Sequence, residues 1–264
     1  MCLILLAWRA HPDFPLVVAA NRDEYYARPS APAQFWSDAP DVLAGRDLGA
    51  GGTWLGVTRE GRFGALTNFR DPARIRPDAP SRGALVSDYL RSESSPAAFL
   101  AALPAVASAY NGFNLLVADR CSLAWYSNRA DRPRHLEPGI YGLSNHLLDT
   151  PWPKVARAKS SLAFALRALP GREPLFDLLL DRSPVADAQL PATGVSVQWE
   201  RLLSAAFVRS PTYGTRSSTV VALDREGNLD FEERAFDAHG SFGAARRFSL
   251  HVPRPECDAM GIEA

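Results

Sequence analysis

The chain has 264 residues, 47% of them hydrophobic and 22% charged, with Lys plus Arg and Asp plus Glu both at 29. That length can bury a full core, and the balanced charge leaves no electrostatic footprint for nucleic acid or an acidic membrane surface. Cys2, Cys121 and Cys257 are too few and too scattered for a disulfide framework or a zinc site, and an odd number of free thiols suits a reducing compartment.

The first element is an apolar run, Cys2 to Trp8, followed by a Pro-containing turn and a second run, Leu16 to Ala20. Together they read as a buried antiparallel hairpin. The first run is too short for a membrane span and has no basic segment before it, so neither an integral membrane segment nor a signal peptide is expected, and the protein is expected to be cytoplasmic. Residues 27–52, rich in Pro, Gly and Asp, read as an irregular functional segment. Thr53–Thr58 and Phe63–Asn68 form a second hairpin. Ser81 is positioned to cap a helix over 82–91, and Pro96 opens another over 96–107. Strands follow at 113–118 and 123–127, with a pair around His135 and Tyr141. Val155, Leu162, Leu166 and Leu169 make the apolar stripe of a helix over 152–169. Residues 173–181 and 197–206 are shorter helix candidates, with a loop at 183–194. A hairpin of 218–223 with 229–236 and a strand near 247–251 complete the chain. Hairpin-linked strands with helices in blocks predict an α+β protein of antiparallel sheets, read as one domain over 1–264.

The chemistry gathers at the first hairpin. Pairing its strands brings Cys2 near Asn21-Arg22-Asp23-Glu24, four polar or charged residues directly after an apolar strand. If Met1 is removed, Cys2 supplies both a thiol and a free α-amine whose ordinary pKa of about 7.7–8 suits a base at neutral pH. The plain alternative is a small apolar residue opening a buried strand. Asp23 is placed to hold the terminal ammonium, and Arg22 to depress the thiol pKa or bind a carboxylate; a solvated turn with internal ion pairs is the competing reading. Asn68 and Asn145 close strands and carry amides able to donate to an oxyanion, although Asn is also a common turn residue. Arg216 precedes a strand and is a candidate for binding an anionic group. Gly49-Ala50-Gly51-Gly52-Thr53 lacks the Gly-Lys-Ser/Thr ending of a P-loop and opens into a strand, so backbone flexibility is expected there. The five histidines show no metal-ligand spacing. Only Lys154 and Lys159 are lysines, which leaves little room for a lysine-based mechanism.

Met1-Cys2, Asn21-Arg22-Asp23-Glu24, Gly51-Gly52-Thr53-Trp54-Leu55-Gly56, Leu66-Thr67-Asn68-Phe69-Arg70, Gly142-Leu143-Ser144-Asn145 and Thr215-Arg216-Ser217-Ser218-Thr219 together resemble the NRDE family, also called the transport and Golgi organisation protein 2 family. The resemblance implies the four-layer αββα sandwich of N-terminal-nucleophile hydrolases and a more distant similarity to cysteine amidases such as penicillin V acylase and bile salt hydrolase. It implies Cys2 as nucleophile, with Asp23, Asn68 and Asn145 as catalytic partners and Asn21, Arg22 and Arg216 on the substrate. The amidases place Arg and Asp apart, whereas Arg22 and Asp23 are adjacent here. Family members are linked to secretory organisation, lipid or acyl-CoA handling and haem mobilisation. Two main readings therefore stand, beside a weaker third in which the protein is a scaffold whose cleft holds no ligand. One is a cysteine hydrolase of an amide or thioester in a small amphiphilic molecule, needing no cofactor or metal. The other is a non-catalytic protein that binds haem or an acyl-CoA-like lipid in the same cleft. Either partner is a small molecule.

Overall fold

The computed structural model describes residues 2–253. The opening hairpin forms as its pattern requires. β1 (Cys2–Trp8) pairs with β2 (Leu16–Tyr25), and both runs are apolar throughout because each face is covered. β1 also pairs with β10 (Gly139–Leu143), and β2 with β11 (Tyr213–Leu223). β12 (Asn228–Phe236) and β13 (Phe242–His251) complete an antiparallel six-stranded sheet in the order β10-β1-β2-β11-β12-β13.

The second sheet has seven strands in sequence order: β3 (Ser30–Trp36), β4 (Ala39–Asp47), β5 (Leu55–Thr58), β6 (Phe63–Asn68), β7 (Phe113–Ala118), β8 (Leu123–Ser127) and β9 (Arg134–His135). The expectation of an irregular segment at 27–52 is therefore corrected, since most of it is the β3–β4 hairpin. Pairing slips at Ala31/Gln34 and Phe35/Trp36, and Pro32 sits in β3, the edge strand. Bulges and an edge proline erase the period-two pattern by which a strand is read. The pair around His135 and Tyr141 also divides: β9 joins β8 in one sheet and β10 joins β1 in the other.

Alternation along the strands builds the layers. Ile4, Leu6, Trp8, Val18 and Ala20 face Leu43, Val57, Phe63, Ala65 and Leu116 across the sheet interface. Leu3, Leu5, Ala7, Val17 and Ala19 face the helical layer of α4 (Pro153–Ala165) and α5 (Glu173–Asp177). The outer face of the second sheet carries α1 (Gly83–Arg91), α2 (Pro96–Ala102) and α3 (Pro104–Ala107). A short α6 (Val197–Leu202) follows α5. This is the four-layer αββα sandwich implied by the resemblance.

Helix ends refine the sequence reading. Arg82, not Ser81, occupies the cap of α1 and makes no side-chain capping bond. Pro104 starts a new helix where one had been expected over 96–107, while Ser95 caps α2 by accepting from the Ala98 N–H. Cys121, expected as a free thiol, is disulfide-bonded, whereas Cys2 is free and buried. Among the described residues no helix is long and apolar enough to cross a membrane.

Candidate functional site

Strand register places the site. Cys2 lies directly opposite Arg22, and Arg22 opposite Ser217. Residues opposite one another in an antiparallel pair share a face. Cys2 and Arg22 therefore look between the sheets, while Asn21 and Asp23 turn toward the helical layer. Between Thr215 and Ser217 the pairing of β11 with β2 slips, and Arg216 is the extra residue. A bulge re-aims a side chain, and the Arg216 guanidinium enters the cleft wall, where it donates to the carbonyls of Tyr25 and Arg28.

The two sheets splay at this end into a cleft of about 840 Å³, within the range of small-molecule sites. Cys2, Arg22, Asp23, Asn68 and Arg216 all line it. Asn21 and Asn145 do not. Asn21 is fully buried on the helical side, where its amide donates to the carbonyls of Leu179 (2.8 Å) and Ala206 (2.9 Å) and its oxygen accepts from Ser218 Oγ (2.6 Å). It braces the helical layer on the sheet and is not part of the cleft lining. Asn145 is buried behind Asn68, donating to the Asn68 carbonyl at 2.9 Å. Beside it Ser144 Oγ donates to the Cys2 carbonyl at 3.2 Å and Thr67 Oγ1 to the Ser144 carbonyl at 2.6 Å. These bonds stitch the end of β6 to the chain after β10 and fix Asn68 at the cleft.

Burial pushes the Cys2 thiol above its ordinary range, and Arg22 acts in the opposite direction. Burial likewise raises the Asp23 carboxyl to about 6, against the lowering effects of the N-terminal ammonium, of Lys154 and of Thr215, whose Oγ1 donates to Asp23 Oδ1 at 2.7 Å. Tyr213 adds a hydroxyl bond to the Asp23 carbonyl at 3.0 Å.

Several groups at the site carry no motif. Arg28, Arg46, Arg76, Arg82 and Arg246 join Arg22 and Arg216, so that seven arginines face four carboxylates, Asp23, Glu24, Asp47 and Glu233. Arg28 bonds Asp47 at 2.7 Å, and Arg46 bonds Asp38 at 2.6 Å. Among the described residues Arg22, Arg76, Arg82, Arg216 and Arg246 have no carboxylate at ion-pair distance, so a neutral chain presents a basic cleft. Arginine is abundant everywhere in this sequence, which hides the cluster from a linear reading. Lys154 is buried, within electrostatic reach of Asp23. Its signal was available: Lys154, Ala158 and Leu162 recur every fourth residue on the buried stripe of α4.

The glycine pair before Thr53 serves close approach more than flexibility. Gly51 has φ of 78°, but a Cβ on Gly52 would lie 2.5 Å from the backbone carbon of Gly83, at the start of α1. Trp54 lines the cleft, whereas Trp8 and Trp36 are core residues. No histidine of the described residues lines the cleft. His146 packs on Phe69 and Trp152, with Nδ1 2.9 Å from Thr150 Oγ1. No cluster of three or more metal-ligating side chains occurs among the described residues.

Comparison with known proteins agrees with the motif reading. The family described as Transport and Golgi organisation 2 matches residues 1–238. The Transport and Golgi organization 2 homolog of Mus musculus is 39% identical, with 89% of this chain and 93% of that protein aligned. The Homo sapiens homolog is 37% identical over the same shares, and the Drosophila melanogaster protein 28% identical over 92% and 95%. Among solved structures, a Caenorhabditis elegans N-acylethanolamine-hydrolyzing acid amidase ortholog aligns with a TM-score of 0.47 at 12% identity, covering 83% of this chain and 92% of that one. A mutant conjugated bile acid hydrolase from Clostridium perfringens aligns at 0.45 and 10% identity, covering 94% and 96%. The match across nearly the whole chain, with relatives above one-third identity, makes this protein a member of the Transport and Golgi organisation 2 family.

Proposed function

We propose that the protein is a cysteine hydrolase that cleaves an amide or thioester of a small anionic amphiphile. The observation that carries this reading is the placement of Cys2, 9% exposed, in the wall of an arginine-rich cleft of about 840 Å³ beside Asp23. Loss of Met1, which lies outside the described residues, frees the Cys2 amine. That amine takes the thiol proton as sulfur attacks the carbonyl carbon, and returns it to the leaving amine or thiol as the tetrahedral intermediate collapses. Water then hydrolyses the acyl-enzyme, releasing the acid and restoring the thiol. Asp23 orients the amine, and Asn68 donates to the oxyanion from the cleft side, with Asn145 fixing the chain behind it. Arg22 and Arg216 hold the anionic part of the substrate, where guanidinium forks suit carboxylate or phosphate.

Intact mass and turnover test this together. Native protein should lack Met1 and hydrolyse members of an amide and thioester panel, and Cys2→Ala should abolish that turnover. Complete retention of Met1, or undiminished turnover by Cys2→Ala, defeats the mechanism.

A carrier reading has its own support: burial disfavours the thiolate, and the surplus of arginines binds anions without chemistry. In that reading the cleft holds haem or an acyl-CoA-like lipid, with arginines on the propionates or phosphates. Cys2 would be the soft ligand available to haem iron there. Haem titration followed by absorbance separates the two. A Soret shift lost in Cys2→Ala supports haem carriage, and an unchanged spectrum at micromolar haem counts against it.

A further inference from the structure

Strand register lays one row of residues along the cleft floor. Cys2 is opposite Arg22, Arg22 opposite Ser217, Ser217 opposite Ala235 and Ala235 opposite Ala244, and each of them lines the cleft. Four strand spacings separate Cys2 from Ala244, about 19 Å. At the far end of this row β3 packs on β12 and β13, with Phe35 edge-on to Phe248, and Ser30, Ala31 and Pro32 join the cleft wall. β3 pairs Ala31 with Arg46 and Gln34 with Ala44, so Pro32 and Ala33 together face Gly45 in a β-bulge. Pro32 has no N–H to satisfy. Ala33 has one, is fully buried, and sits on an edge strand where no further strand offers an acceptor. Buried N–H groups are almost always bonded. Here the acceptor comes from the other sheet: Glu233 Oε1, on β12, at 2.8 Å. Glu233 continues the inward face of Leu229 and Phe231, both core residues, and is 6% exposed. A carboxylate in that row needs partners of its own. Gly45 makes room for it, since a Cβ there would lie 3.3 Å from the Ala31 carbonyl oxygen and 3.5 Å from Glu233 Oε2.

We propose that Glu233 is a positioning residue that sets the shape of ligand the cleft admits: its side chain spans the two sheets, latches the bulge of β3 over the far end of the floor, and so fixes the height of a slot for the slim apolar part of an anionic amphiphile. The proposal rests on the reading above that this cleft is the ligand site, and it holds for hydrolase and carrier alike. Facing sheets stack about 10 Å apart. Ala31 and Pro32 wall the slot on one side, and Ser217, Ala235 and Ala244 on the other. With walls that small, the placement of the β3 main chain decides what fits between them. Arg22 stands in the same row, one strand from Cys2. The order along the floor is therefore scissile carbonyl, anion, apolar extension. The latch and the carboxylate support each other. Burial pushes the Glu233 carboxyl up, and the largest opposing influence is the Ala33 N–H itself, ahead of Arg22 on β2, Ser217 on β11 and Arg246 on β13.

Two monocarboxylates of different girth test this, decanoate and adamantaneacetate, each titrated calorimetrically into the full-length protein. The ratio of their Kd values cancels the shared carboxylate. The unmodified protein should prefer decanoate by about tenfold or more, and Glu233→Ala should cut that preference by about fivefold or more. Two further variants separate reach from charge. Glu233→Gln keeps an acceptor oxygen at the same reach without the charge, whereas Glu233→Asp keeps the charge and falls one methylene short of Ala33. A latch leaves the preference of Glu233→Gln within about twofold of the unmodified protein and removes it in Glu233→Asp. The reverse pattern overturns the proposal, and so does an unmodified protein that takes both probes equally. Amide exchange needs no ligand and no turnover. The Ala33 N–H should be protected in the unmodified protein and in Glu233→Gln, and should exchange faster in Glu233→Asp. Fast exchange of Ala33 in the unmodified protein sinks the latch even where Glu233→Ala does not fold. Arg22→Ala tells failure of the latch from failure of the site. If it weakens both probes while Glu233→Asp leaves their ratio unmoved, the latch alone is defeated. If it weakens neither, the cleft is not the ligand site, and the role given to Glu233 falls with that reading.

Discussion

The two faces of the Asn21–Glu24 segment do different work, although the four residues read as one motif. Asn21 and Asp23 turn into the helical layer, where Asn21 bonds the Leu179 and Ala206 carbonyls and the Ser218 hydroxyl, and Asp23 accepts from Thr215. Arg22 looks into the open cleft opposite Cys2, in a wall that also carries Arg76, Arg82, Arg216 and Arg246, which have no carboxylate at ion-pair distance among the described residues. Strand alternation turns Asn21 and Asp23 to one face and Arg22 and Glu24 to the other, although Asp23, at the strand end, still borders the cleft. A polar cluster at a strand end is thus two sites back to back, one dry and one wet. Substitutions on the dry face should cost stability, and those on the wet face should cost binding.

The largest expected effect lies deepest on the dry face. Glu200→Ala leaves the Arg70 guanidinium buried without its carboxylate, which destabilises by about 3–5 kcal/mol. Denaturant unfolding measures it. A loss below about 1 kcal/mol would mean that water reaches Arg70 and the face is not dry. Asn21→Ala comes next, at about 2–3 kcal/mol. It leaves the Leu179 and Ala206 carbonyls without their donor and the Ser218 hydroxyl without its acceptor. Little or no change in unfolding midpoint would move Asn21 from brace to ligand contact.

Two buried charges, Asp23 and Lys154, add a pH dependence whose sign follows from each shift. Asp23 is raised from 3.8 to about 6, so its contribution to stability is full below about 4 and is lost as pH rises through 6. Lys154 is lowered from 10.5 to about 8, so its contribution is full above about 10 and is lost as pH falls through 8. Between these values both charges are held at their least favourable. Replacing both, in the double variant Asp23→Asn with Lys154→Met, should leave stability at pH 7 equal to or above that of the unmodified protein. Lys154→Met alone removes the cost of the buried ammonium, so its stability relative to the unmodified protein should rise as pH falls through 8. A difference independent of pH would point to packing and not to charge.

How much of this the sequence discloses depends on whether a signal is local. Strands such as β1, β2 and β7 are unbroken apolar runs and read directly. β3 and β4 do not, because Pro32, an edge position and two register slips leave no periodicity to count. Cys2, Arg22, Asp23 and Asn68 were found because strand ends place them together. The basic cleft was not, since Arg28, Arg46, Arg76, Arg82 and Arg246 come from β3-flanking, β4, loop and β13 positions that meet only after the sheets stack. Asn21 and Asn145 were identified as polar residues at the right end of the fold, but sequence cannot tell which way a side chain at a strand end is braced.

Arg22→Ala should produce the smallest change in stability and is the sharpest probe of the wet face. The side chain is half-buried, makes no ion pair among the described residues and stands near the like charge of Arg216. Its removal loses little packing and relieves like-charge repulsion, so the unfolding free energy should change by no more than about 0.5 kcal/mol in either direction. Binding should respond differently. Loss of one guanidinium from an anion site costs about 1.5–3 kcal/mol where it bonds the ligand directly, roughly a tenfold or greater rise in Kd for an anionic amphiphile. The binding loss should diminish with added salt, because the long-range attraction of an open cleft is screened beyond about 10 Å at 0.1 M. Isothermal titration at two ionic strengths, beside unfolding curves for Arg22→Ala and Asn21→Ala, reads both faces at once. A large stability loss for Arg22→Ala with unchanged affinity would reverse the assignment of the two halves. The cleft would then lose its claim to be the ligand site.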